Sequence, residues 1–105
     1  MVAQGINGRI VLLEACLRIE WVRRAPVEVP YRDLQGVGML QFGWAGFAFL
    51  RGHIGRTGWL RLNTANDPDF LYVHFAREQE PTFVALRDEL RRRFPHMVVE
   101  AMHVF

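Results

Sequence analysis

At 105 residues the chain has material for one hydrophobic core and excludes a second domain. Half of its residues are hydrophobic and 12% are aromatic, which excludes disorder on compositional grounds. All thirteen basic residues are Arg, so Lys-dependent chemistry is excluded, and a formal net charge of +2 argues against a surface built on many phosphate contacts.

In chain order, residues 1–5 lack the basic region and apolar run of a signal peptide. The longest uncharged apolar stretch, 37–50, is shorter than the roughly twenty residues a membrane-crossing helix needs. The cytoplasm is therefore the expected location. A strand is predicted over 9–13, after the turn-forming pair Asn7-Gly8. In the next strand Leu17, Ile19 and Trp21 alternate with Arg18 and Glu20, so one face is wet. Val27, Val29 and Tyr31 alternate with Glu28, Pro30 and Arg32; Pro30 has no N–H for a ladder, which predicts an edge strand or a strand end.

Two strands are expected over 39–42 and 47–50, followed by a turn-rich connection over 52–58. Alternation returns at 59–64, and a last strand over 70–75 follows the turn signal of Asn66-Asp67-Pro68. The period then changes. Glu80-Pro81 starts a helix predicted over about 81–94, with Phe83, Leu86 and Leu90 on one face and Arg87, Asp88, Arg91 and Arg92 toward water. The apolar tail 96–105 is expected to be either one more strand or a contact segment. The whole is expected to be one mainly β domain, residues 1–105, with a bent antiparallel sheet or barrel of six or seven strands capped by one helix.

Four stretches resemble a bacterial family of pleckstrin-homology-like (PH-like) domains of unknown function, often found beside short C-terminal oligomerisation domains. Gly8-Arg9-Ile10 with Leu17-Arg18-Ile19 is similar to its opening hairpin. Val29-Pro30-Tyr31-Arg32-Asp33-Leu34-Gln35-Gly36-Val37 is similar to its third strand, and Gly58-Trp59-Leu60-Arg61-Leu62 to its glycine-aromatic strand. Asp67-Pro68 through Val73-His74-Phe75, with Gln79, Phe83, Leu86 and Arg87, resembles its last strand and helix. The resemblance covers about residues 5–94, and it implies a fold without implying any chemistry.

Each candidate site has an ordinary counterpart. Arg51, His53, Arg56 and Arg61 flank glycines that could offer N–H groups to an anion, yet the segment matches no phosphate-binding fingerprint. His53, His74, His96 and His103 lack metal-ligand spacing, and no metal or cofactor is expected. Cys16 lies in apolar sequence and reads as a small core hydrophobe; a Cys16–His74 pair could arise only through the fold. No Ser is present, so serine nucleophiles are excluded, and no catalytic residue is assigned. The favoured site is an apolar contact surface of Trp44 and Phe47 with Met97, Val99, Met102, Val104 and Phe105 of the tail. The expected function is thus a non-enzymatic module for protein contacts, including self-association. The alternative is an anionic-ligand or membrane-surface module using Arg51, Arg56 and Arg61. Nucleic acid is not an expected partner.

Overall fold

The computed structural model describes residues 1–42, 57–65 and 71–104. Strands β1 (Val2–Gln4), β2 (Gly8–Leu12), β3 (Cys16–Trp21) and β4 (Val27–Pro30) form one antiparallel sheet in sequence order. Strands β5 (Leu34–Phe42), β6 (Thr57–Thr64) and β7 (Leu71–Ala76) begin a second sheet, and helix α1 (Glu80–Arg93) follows. A last strand, β8 (Val98–Val104), completes that sheet in the order β7-β6-β5-β8.

Alternation does the local work. Ile10 pairs with Ile19 and Leu12 with Leu17, and all four are buried, whereas Arg9 pairs with Glu20 on the wet face. Leu71, Val73 and Phe75 point inward from β7, opposite the inward Leu62, Leu60 and Gly58 of β6. Gly58 is needed there because a Cβ at that position would lie 2.6 Å from the Phe75 ring. It belongs to β6, not to the connection that its composition suggested. Pro30 ends β4, an edge strand, as its missing donor required.

Phe83, Leu86 and Leu90 are fully buried. Phe83 stacks on Phe75 with ring centroids 4.7 Å apart. Each such side chain contributes roughly 1.5–3 kcal/mol by leaving water. At the helix start the Gln79 Oε1 accepts a hydrogen bond from the Ala76 N–H, and Pro81 occupies the first turn, where no N–H partner is required. The helix ends where the Phe94 N–H bonds the Leu90 carbonyl, one residue before Pro95.

Several expectations change. The described residues hold two sheets and eight strands, not one bent sheet or barrel of six or seven. Val2–Gln4 escaped notice because three residues are too few to show a period; only Ala3 faces inward. The expected strand at 39–42 begins earlier, at Leu34, and runs through Gly36 and Gly38. The expected strand at 47–50 lies outside the described residues. The tail is a strand, and β8 runs parallel to β5. This direction follows from the crossover: α1 carries the chain from β7 at one edge of the sheet to the opposite edge, so β8 returns with the sense of β7. Arg87 does not face water; its side chain is only 15% exposed and lies over β5. There its Nη1 donates to Gln41 Oε1 at 2.9 Å.

Candidate functional site

A concavity forms where the end of β3 meets the outer edge of β7. The turn Gly5-Ile6-Asn7 links β1 to β2 and also reaches β7. The Ile6 N–H donates to the His74 carbonyl at 2.7 Å, and the His74 N–H donates to Asn7 Oδ1 at 2.8 Å. From β3, the Trp21 indole N–H donates to the Tyr72 carbonyl at 2.8 Å. The Val22 N–H bonds the Asn7 carbonyl at 2.9 Å, which ties the two approaching segments together.

Between these segments opens a cleft of about 490 Å³ lined by Ile6, Asn7, Trp21, Val22, Arg23, Arg24 and Tyr72. That volume lies within the range of pockets that hold a small ligand or a few side chains of a partner. Ile6 and Val22 are 52% and 75% exposed, so apolar surface stands open at the rim. The Arg24 guanidinium lies 4.3 Å above the Trp21 ring, a cation–π contact that orients both groups. Tyr72 is held edge-on by Trp59 at 5.2 Å and stacks alongside His74 at 6.4 Å. Rigid aromatic walls with cations at the rim can take an apolar side chain together with a negative charge. No carboxylate lines the cleft among the described residues.

Further along the same outer face, Arg61 crosses Gly38 to reach Glu100 of β8, Nη2 to Oε2 at 3.0 Å. A Cβ at Gly38 would come within 3.2 Å of that guanidinium, so the glycine provides the slot in which Arg61 lies. Arg61 was expected to help hold an anion. Its charge is instead matched by a carboxylate of its own chain.

The other expected residues are distributed as follows. Met97 is 9% exposed and belongs to the core, so it is not a surface contact residue; the turn after α1 folds it inward. Val99 is half-buried against that core. Met102 and Val104 sit in β8, in register with Leu40 and Phe42 of β5. Trp44, Phe47, Arg51, His53, Arg56 and Phe105 lie outside the described residues.

Cys16 is half-buried at the start of β3 and is not a core residue. Desolvation, and then its hydrogen bond to Glu28 at 3.5 Å, push its thiol pKa up, which disfavours the nucleophilic thiolate. It stands at the opposite end of β3 from Trp21, the residue that adjoins β7, so the fold does not bring Cys16 to His74. Glu89 near the end of α1 is held down to about 2 by hydrogen bonds from Arg92 and then Arg93.

The residues that build the cleft were legible only as parts. Trp21 was placed by its alternation with Arg18 and Glu20, and Arg23-Arg24 stand two and three residues beyond it. The available signal was a Trp at a strand end, followed at once by an apolar residue and two Arg. Compared with known proteins, the chain matches no family model, and no curated protein matches it at a significant level. Among the described residues no helix is long and apolar enough to cross a membrane.

Proposed function

We propose that this chain is a non-enzymatic PH-like module that mediates protein contacts, receiving in the Trp21–Tyr72 cleft an apolar side chain flanked by a carboxylate. The observation that carries this reading is the cleft itself: aromatic walls, an open apolar rim and two Arg. Rigid aromatics give contact area at low entropic cost, and Arg beside them selects for acid. The element order supports the PH-like assignment: four meandering strands, three more antiparallel strands, then a helix packed on the core. Strand β8 is an addition outside the resemblance.

The test is a titration followed by two-dimensional NMR, with the Trp21 indole N–H as reporter. The probe is a short peptide alternating leucine with aspartate, and its control replaces aspartate with lysine. The acidic peptide is expected to move the Trp21, Val22 and Ile6 signals, and Arg23→Glu is expected to suppress the movement. Equal responses to both peptides, or none at Trp21, would remove the cleft as the site. Binding of anionic vesicles at residues 51–61 with the cleft unmoved would favour the anionic-ligand reading instead.

A further inference from the structure

We propose that the outer edge of β8 is a self-pairing surface, on which a second copy of this chain lays its own β8 antiparallel across a two-fold axis. This rests on the protein-contact reading and names a partner for it. It uses the edge of the sheet opposite the cleft, so either surface can fail while the other stands.

The two sheets present four edges among the described residues, and three are protected. β1 is three residues long, and α1 lies against it. β4 is four residues long, ends in Pro30 and exposes Glu28. β7 is covered by Ile6, Asn7 and Trp21, which take up its Tyr72 and His74 carbonyls and the His74 N–H. Short length, proline, charge and side-chain cover are the devices that keep natural sheets from joining edge to edge.

β8 is neither short nor interrupted by proline. It pairs with β5 over all seven residues, Val98–Val104, without a bulge. At roughly 3.3 Å per residue it presents on the order of 20 Å of continuous backbone. It contains no Lys, Arg, Pro or Gly. Its one acid, Glu100, is drawn across the face of the sheet to Arg61 of its own chain. Among the described residues no backbone hydrogen bond reaches its outer side.

The composition of the strand selects its partner. With its only charge already matched, the edge has nothing by which to read a charged segment. It complements an apolar strand of high β propensity, and β8 is itself one. In an antiparallel pair centred on position 101, position 98 meets 104 of the copy, 99 meets 103 and 100 meets 102. The two Glu100 are therefore not directly opposite, which removes the strongest cross-strand repulsion. Val98, 58% exposed beside this edge, gains cover from the copy. The contact is isologous and closes on itself, so it yields a dimer and not a fibre.

The test is light scattering on the full chain over roughly a hundredfold range of concentration, at low and high salt, together with amide hydrogen exchange. The expected result is a dimer that grows with concentration, resists salt, and slows exchange within residues 98–104. Val98→Lys places a guarding charge at the edge and is expected to weaken the dimer about tenfold or more, a change of at least ~1.4 kcal/mol. Leu13→Lys, at an exposed turn between β2 and β3, is expected to leave it unchanged. A monomer at the highest concentration overturns the proposal. So does a dimer that forms without slowing exchange in β8. Should Val98→Lys misfold by circular dichroism, the exchange data on the unaltered chain decide alone.

Discussion

β7 and β8 are the two edges of one sheet, and they are finished in opposite ways. Both present backbone donors and acceptors at their outer sides. On β7 these groups are met by a turn and an indole from the other sheet; on β8, among the described residues, no backbone hydrogen bond meets them. The difference teaches that edge cover and cleft have one origin here. The residues that close the β7 edge (Ile6, Asn7, Trp21) are also walls of the cleft. Under the two proposals, a partner at β7 would be recognised by side chains and a partner at β8 by backbone.

The most severe break removes what the two edges share. Phe83 anchors the crossover helix that carries the chain from β7 to β8 and stacks on Phe75. Phe83→Ala is expected to cost about 3–5 kcal/mol. In urea unfolding it lowers the midpoint strongly and frays β8 first by hydrogen exchange. A loss below about 1 kcal/mol would mean that the helix is not the anchor described above.

A narrower break strips the cover from β7 alone. Asn7→Ala leaves the His74 N–H without its acceptor, at an expected cost of about 1–3 kcal/mol. The His74 amide should then exchange faster than its neighbours in β6. The variant should also gain a second, concentration-dependent association that Val98→Lys does not suppress. Unchanged exchange at His74 would show that the edge is protected by something other than Asn7.

The smallest effect is a control remote from both edges. Glu89 is held at about 2, below its ordinary 4.5, by hydrogen bonds from Arg92 and Arg93. A depressed carboxyl contributes stability above its unfolded pKa. That contribution is complete above about pH 4.5 and is lost as pH falls toward 2. The stability gap between the native chain and Glu89→Gln should therefore be present at pH 7 and shrink toward pH 2. The pair is exposed and screened by salt, so the gap is small. A gap that widens on acidification would reverse the assignment.

These contrasts mark where sequence reasoning succeeded and where it stopped. The buried positions Leu17 and Ile19 of β3 and the stripe Phe83-Leu86-Leu90 were legible because burial repeats at the period of the element itself. Pro30 was legible because a missing donor constrains its position wherever the chain goes. The cleft was not. Trp21 finds its acceptor 51 residues away, Arg61 its carboxylate 39 away, and Arg87 its amide partner 46 away. No local pattern distinguishes an Arg that meets such a partner from one that meets water.

The sequence by itself determined a mainly β chain with one C-terminal helix, because alternation and helical spacing state which side of each element avoids water. Tertiary structure alone decided that β8 parallels β5, that Met97 turns inward, and that Trp21 closes the edge of β7. Those outcomes depend on which backbone groups and side chains are brought together across the sheets. Hydrophobic periodicity carries no information about that pairing.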